Sequence, residues 1–170
     1  DKSNVMPGED RELFIHQIET HQGILHKVCG MFCNVIQDKE DLYQEIIIQL
    51  WKSWDQFRGD SKLSTWMYRI ALNTAISMSS KAKKANNLQA LGPKELARND
   101  EMEDGVTQDD IQHLYQAISN LSKIERAIIL LYLEEKPYDE IAEITGLTKS
   151  NVGVRILRIK KKLEKQMSMN

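Results

Sequence analysis

Aromatic residues make up only 6% of the 170 residues, with eight glycines and three prolines to break the chain. That scarcity disfavours the many short, turn-punctuated strands of an all-β fold. Strand-like alternation and long internal repeats are also missing. There are only two cysteines, which build no disulfide framework and are consistent with a reducing compartment. No apolar run approaches the roughly 20 residues needed to span a bilayer, and no basic-apolar-small signal segment opens the chain. The expectation is a cytoplasmic protein without direct membrane insertion. A phosphate-binding glycine loop, a nucleophile elbow and a helical His-Glu-x-x-His pair are all lacking, which argues against an enzyme.

Hydrophobic residues account for 41% and charged residues for 28%, a globular composition. Leu, Ile, Ala, Glu and Lys dominate, so the expected fold is all-α. The net charge of −2 conceals a segregation. Residues 51–85 carry seven basic and two acidic side chains, and residues 145–170 carry seven and one. Between them, residues 86–110 carry two basic and seven acidic. Two basic blocks around an acidic one suggest two surfaces for anionic partners.

Apolar spacing predicts a helix from Arg11 to Ile36, interrupted after it by Asp38, Lys39 and Glu40. A second helix is expected from about Glu40 to Phe57, stopped by Arg58-Gly59. A third, capped by Asp60 or Ser61, should continue to about Lys84. Periodicity fades over residues 86–110, where Asn86-Asn87, Gly92-Pro93 and the acidic run read as a flexible linker. This divides the chain into two small helical domains, 1–85 and 111–170. In the second, Ile111–Asn120 reads as a helix. Ser122-Lys123-Ile124-Glu125 is a capping box, and Lys136-Pro137 separates the next two helices.

Ala142, then Gly146 four residues on and Val152 six further, has the spacing of a helix-turn-helix. The small residue permits close approach, Gly146 permits a left-handed turn, and Val152 anchors the second helix from beneath. Ile141, Ile144, Leu147, Val152 and Ile156 form the expected seam, with Thr148 as N-cap. Lys149, Ser150, Asn151, Val154, Arg155 and Arg158 are left for the outer face, where a recognition helix needs polar and basic groups. Lys160, Lys161 and Lys162 extend the basic surface toward phosphates.

The stretch Asp41–Ser77 contains all three tryptophans. Its first helix has a core stripe of Leu42, Ile46, Leu50, Trp54 and Phe57. Asp41, Gln44, Glu45, Ile48 and Lys52 lie opposite, an apolar residue among polar ones, as in many protein interfaces. In its second helix Leu63, Met67, Ile70, Ala71 and Thr74 turn inward. Trp66, Arg69 and Asn73 share an outer strip near Lys62, a set suited to stacking, phosphate pairing and base-edge bonding of a single strand. Trp66 could equally be a core residue.

With these motifs in order and correctly spaced, residues 10–168 resemble regions two and four of an extracytoplasmic-function sigma factor of bacterial RNA polymerase. EDLYQEIIIQLW, FRGDSKLSTWMYRIALNTA and LSKIERAIILLYLEEKPYDEIAEITGLTKSNVGVRILRIKKKL carry the resemblance. It implies that Asp41, Leu42, Gln44, Glu45 and Ile48 bind the clamp of the largest polymerase subunit. Phe57, Arg58, Lys62, Trp66, Arg69 and Asn73 would take the −10 element and its non-template strand. Lys149, Ser150, Asn151, Val154, Arg155, Arg158 and Lys161 would take the −35 element, while the same domain docks on the flap of the second-largest subunit. The acidic linker would thread toward the RNA exit path, and an anti-sigma factor would be a further partner. No cofactor is implied. Gly153-Val154 departs from the basic or polar pair frequent in the family, and Gly153 lowers helix propensity by about 1 kcal/mol. Pro137 stands where the family often has Ser.

Two other readings compete. His26, Cys29 and Cys33 fall within one arc of a helix and could hold zinc, but that arc borders the apolar face, so packing rather than a metal site is expected. A helix-turn-helix regulator acting without core polymerase is the alternative, and it leaves Asp41–Ser77 unexplained.

Overall fold

The computed structural model describes residues 8–85 and 105–169, and those residues are helical with no strand among them. The first group comprises α1 (Gly8–Thr20), α2 (Gln22–Phe32), α3 (Ile36–Ser53), a 3₁₀ turn at Trp54–Gln56, and α4 (Leu63–Ala85). The second comprises α5 (Gln108–Ser119), α6 (Lys123–Leu133), α7 (Tyr138–Thr145) and α8 (Lys149–Ser168). The expected linker 86–110 lies outside the described residues except for 105–110.

The single helix expected over Arg11–Ile36 is two helices. At His21 the backbone leaves helical geometry (φ −109°, ψ 22°). Its ring Nδ1 lies 2.9 Å from the Gln17 carbonyl, and Thr20 Oγ1 donates to the His16 carbonyl. These local bonds, with a β-branched residue and Gly23 alongside, compete with a continuous helix. The next break also falls earlier than the charge pattern suggests. Cys33 is extended, and α3 starts at Ile36. Asp38 therefore sits in the first turn of α3, where a carboxylate favours the positive end of the helix dipole.

In the first group α2, α3 and α4 pack on one another. Leu25, Val28, Leu42, Ile46, Leu50, Met67 and Ala71 form the centre. From α1, Phe14 meets Trp51 and Trp54 edge-on, with centroids 4.9 and 5.2 Å away. α4 begins at Leu63, and the residue ahead of it whose carbonyl accepts the Trp66 N–H is Lys62 rather than Asp60 or Ser61.

In the second group α5, α6 and α7 all pack against α8. Ser122 Oγ accepts from Glu125 N–H while the Glu125 carboxylate accepts from Ser122 N–H, so the expected capping box forms. Thr107 and Asp110 form a second one, which starts α5 at Gln108, three residues ahead of Ile111. α6 closes on Glu135 in the left-handed conformation (φ 57°), with Lys136 N–H reaching back to the Leu131 carbonyl. This is the Schellman pattern, with a glutamate where glycine is usual.

α4 is buried on two stripes. Met67, Ala71 and Ala75 face the first bundle, whereas Thr65, Tyr68 and Leu72 form a second buried line. The second line arises because α4 also packs against α6 and α7, and α2 against α6. Apart from Ala117 and Ile118 of α5, the buried apolar residues of both groups thus form one continuous cluster.

Candidate nucleic-acid interface

The helix-turn-helix is built as its residue spacing requires. Gly146 adopts φ 75°, a conformation that glycine enters without steric penalty, and ends α7. Thr148 Oγ1 accepts from Asn151 N–H at 3.1 Å and starts α8. Ile141, Ile144, Val152 and Ile156 are buried between the two helices, and Ala142 and Leu147 are half-buried at their edge. Lys149, Ser150, Asn151, Val154, Arg158 and Lys161 are exposed. Arg155 is half-buried, and its Nε donates to Asn151 Oδ1 at 2.7 Å. Lys149 pairs with Asp139 at 3.1 Å across the turn.

The basic tail divides. Lys160 Nζ donates to the Tyr132 hydroxyl at 2.7 Å and lies over its ring, and Lys162 pairs with Glu125. Both lysines therefore brace α8 against α6, while Lys161 remains exposed. Leu157, which the residue spacing did not single out, is 61% exposed beside Arg158 and three residues from Val154. It falls off the buried 152-156-159 line, and that offset was the available signal. An apolar side chain on such a face suits a thymine methyl. Gly153 faces Tyr138, but a Cβ there would meet the ring at an ordinary 3.6 Å, so packing does not require glycine.

The first group supplies a second polar surface. Gly59 (φ 76°) turns the chain between the 3₁₀ turn and α4, leaving Arg58 and Lys62 exposed. Phe57 and Trp66 are half-buried, with centroids 5.2 Å apart, and Trp54 packs against both. Trp66 is thus partly a packing residue that retains an accessible portion. Asn73 is exposed on the same strip. Arg69 is engaged by the other group: its guanidinium donates to the Glu143 carbonyl at 3.0 Å and lies 3.6 Å from the Glu143 carboxylate.

On α3, Asp41, Gln44 and Ile48 are exposed and Glu45 is half-buried. Gln37 donates to Asp41, and Gln49 donates to Glu45. These bonds hold an ordered polar surface around Ile48. Leu42 does not belong to that surface. At 2% exposure it lies in the core and can act only by seating α3.

His26 is exposed and stacks near Tyr43, with centroids 5.0 Å apart. Among the described residues no group of three or more His, Cys, Asp or Glu is placed to hold a metal ion. Burial, followed by the neighbouring Cys33, pushes the Cys29 thiol up to about 12. Burial, followed by Asp38, pushes Cys33 up to about 11. Both are poor thiolate sources.

Comparison with known proteins agrees with this arrangement. The model of Sigma-70 region 2 matches residues 17–85, and that of Sigma-70, region 4 matches residues 111–163. The ECF RNA polymerase sigma factor SigW of Bacillus subtilis is 29% identical over 169 residues, covering 93% of this chain and 90% of the relative. The ECF RNA polymerase sigma-E factor of Haemophilus influenzae is 29% identical, covering 93% and 89%. Among solved structures, the sigma factor RpoE in complex with the anti-sigma factor NepR from Bartonella quintana aligns with a TM-score of 0.71 at 20% identity, covering 92% of this chain and 98% of that one. CnrH in complex with the cytosolic domain of CnrY aligns at 0.68 and 18% identity, covering 94% and 90%. At those identities the two structures speak to the fold. The chain belongs to the sigma-70 family of transcription initiation factors, in its extracytoplasmic-function class.

Proposed function

We propose that the chain binds core RNA polymerase through α3 and divides promoter recognition between two surfaces. Asp41, Gln44, Glu45 and Ile48 contact the clamp of the largest subunit, with Leu42 seating the helix. Phe57, Arg58, Lys62, Trp66, Arg69 and Asn73 take the −10 element and its melted strand. Lys149, Ser150, Asn151, Val154, Arg155, Arg158 and Lys161 read the −35 element while the second group docks on the flap. The carrying observation is that a capped, basic helix-turn-helix and a separate aromatic-basic strip occur on one chain.

Each role follows from ordinary chemistry. Lys and Arg neutralise phosphates, Arg and Asn read base edges, and accessible indole stacks on an unpaired base. Recognition and melting require binding and positioning, not a bond made or broken by this chain, so it works without a catalytic group or a cofactor. Among the described residues no helix is long and apolar enough to cross a membrane. We place the protein in the cytoplasm with the polymerase, with an anti-sigma factor as a further partner.

Co-elution with purified core polymerase tests the first step. Wild-type chain should co-elute, and Ile48→Glu should lose most binding while keeping its helical content. Undiminished binding of Ile48→Glu would remove α3 from the interface.

A further inference from the structure

The first two turns of α8 carry a run of hydrogen bonds that ends on Arg155. Thr148 Oγ1 accepts from Asn151 N–H at 3.1 Å, which fixes the backbone at Asn151. Asn151 Oδ1 then accepts from Arg155 Nε at 2.7 Å, one turn further on. Arg155 Nε can only donate, so the amide atom facing it has to be the oxygen. Val152 and Ile156, each the next residue along, are fully buried, so the backbone under both side chains is held in place.

We propose that Asn151 is a positioning residue, which shapes −35 selectivity by holding Arg155 and not by meeting a base itself. This deepens the reading above and rests on the assignment of Arg155 to the −35 element. An asparagine reads adenine with its amide oxygen and nitrogen together. Here the oxygen is already committed to Arg155. An arginine side chain has many rotamers, and a guanidinium free to turn meets a phosphate as readily as a guanine edge. A bond at Nε limits that freedom without involving the two terminal nitrogens, which stay available for a paired contact. Lys149 is held less firmly, because its pair with Asp139 joins two side chains that are mostly exposed. Arg155, half-buried and bonded at Nε, is the more restricted of the two before DNA arrives.

The test uses holoenzyme formed from the full chain and a promoter library randomised at the −35 element. Arg155→Ala should lose the preference at one base position. Asn151→Ala should lower the preference at that same position roughly three- to tenfold. Asn151→Ala added to Arg155→Ala should lower it no further. Asn151→Asp should restore the preference, because a carboxylate also accepts from Nε and is favoured near a helix N-terminus. NMR of the full chain without DNA gives a second readout. The Arg155 Nε–H should exchange slowly with water in the wild type and in Asn151→Asp, and faster in Asn151→Ala. If Asn151→Ala alters the preference at a different position, Asn151 reads its own base and the proposal is overturned. An unchanged preference, failure of Asn151→Asp to restore it, or equal exchange with and without Asn151 would overturn it too. Loss in Arg155→Ala but not in Asn151→Ala defeats the positioning role alone. If Arg155→Ala leaves every preference intact, the −35 assignment of Arg155 falls, and this inference with it.

Discussion

Arg155 Nε donates to Asn151 Oδ1 at 2.7 Å, one turn apart on the polar side of α8. The bond engages Nε and does not involve the two terminal nitrogens of the guanidinium. A guanidinium held in this way can present a two-pronged donor to a guanine edge.

Arg155→Ala should therefore weaken −35 recognition selectively, by about 1–3 kcal/mol at one base position. Lys161→Ala should weaken binding evenly across sequences and lower the salt slope by about one unit. Selectivity profiles from a randomised −35 library distinguish the two. Identical profiles would refute the division between base reading and phosphate contact.

Asn73 and Trp66 share a strip but differ in burial. Asn73→Ala should leave closed-complex binding nearly intact and slow promoter opening, read by permanganate reactivity of unpaired thymines. Trp66→Ala should impair opening and also cost about 1–3 kcal/mol of stability, since it removes its two ring contacts, one with Trp54 and one with Phe57. Trp66→Phe should restore most stability but less of the opening rate. Equal loss of closed and open complexes in Asn73→Ala would defeat its assignment.

The cysteines give a pH dependence with a definite sign. Cys29 is raised from 9.0 to about 12 and Cys33 from 9.0 to about 11, chiefly by burial. Above pH 9.0 the unfolded thiols lose protons that the folded chain keeps. The stabilisation is therefore full below that pH and declines as pH rises toward the folded values, at up to about 1.4 kcal/mol per pH unit for each thiol. Burial and Glu134 raise Tyr68 as well, which adds a loss of the same sign. Urea midpoints at about pH 8 and pH 10 should differ, and the difference should shrink in Cys29→Ala. An unchanged difference would remove Cys29 as a source of the alkaline loss.

Features governed by a few adjacent residues were legible in the sequence. Ser122 and Glu125 cap α6, Gly146 turns left-handed, Thr148 caps α8, and the Ile141–Ile156 seam is buried. Helix interruptions were less legible. His21 and Cys33 break the chain through local bonds and backbone geometry that apolar spacing does not register. Partners distant along the chain were not legible at all. Thr65 reads as an ordinary polar residue until Glu140, 75 positions away, accepts its hydroxyl. Lys160 and Lys162 read as DNA contacts, yet Tyr132 and Glu125 hold them. Trp66 looked compatible with either packing or strand capture because its side chain is only half-buried.

The most direct measurement of the central claim is run-off transcription over genomic fragments with core polymerase, this chain, or both. The account predicts discrete start sites at a small set of promoters only when both are present. The same starts from core polymerase alone, or no specific starts from the mixture, would contradict it.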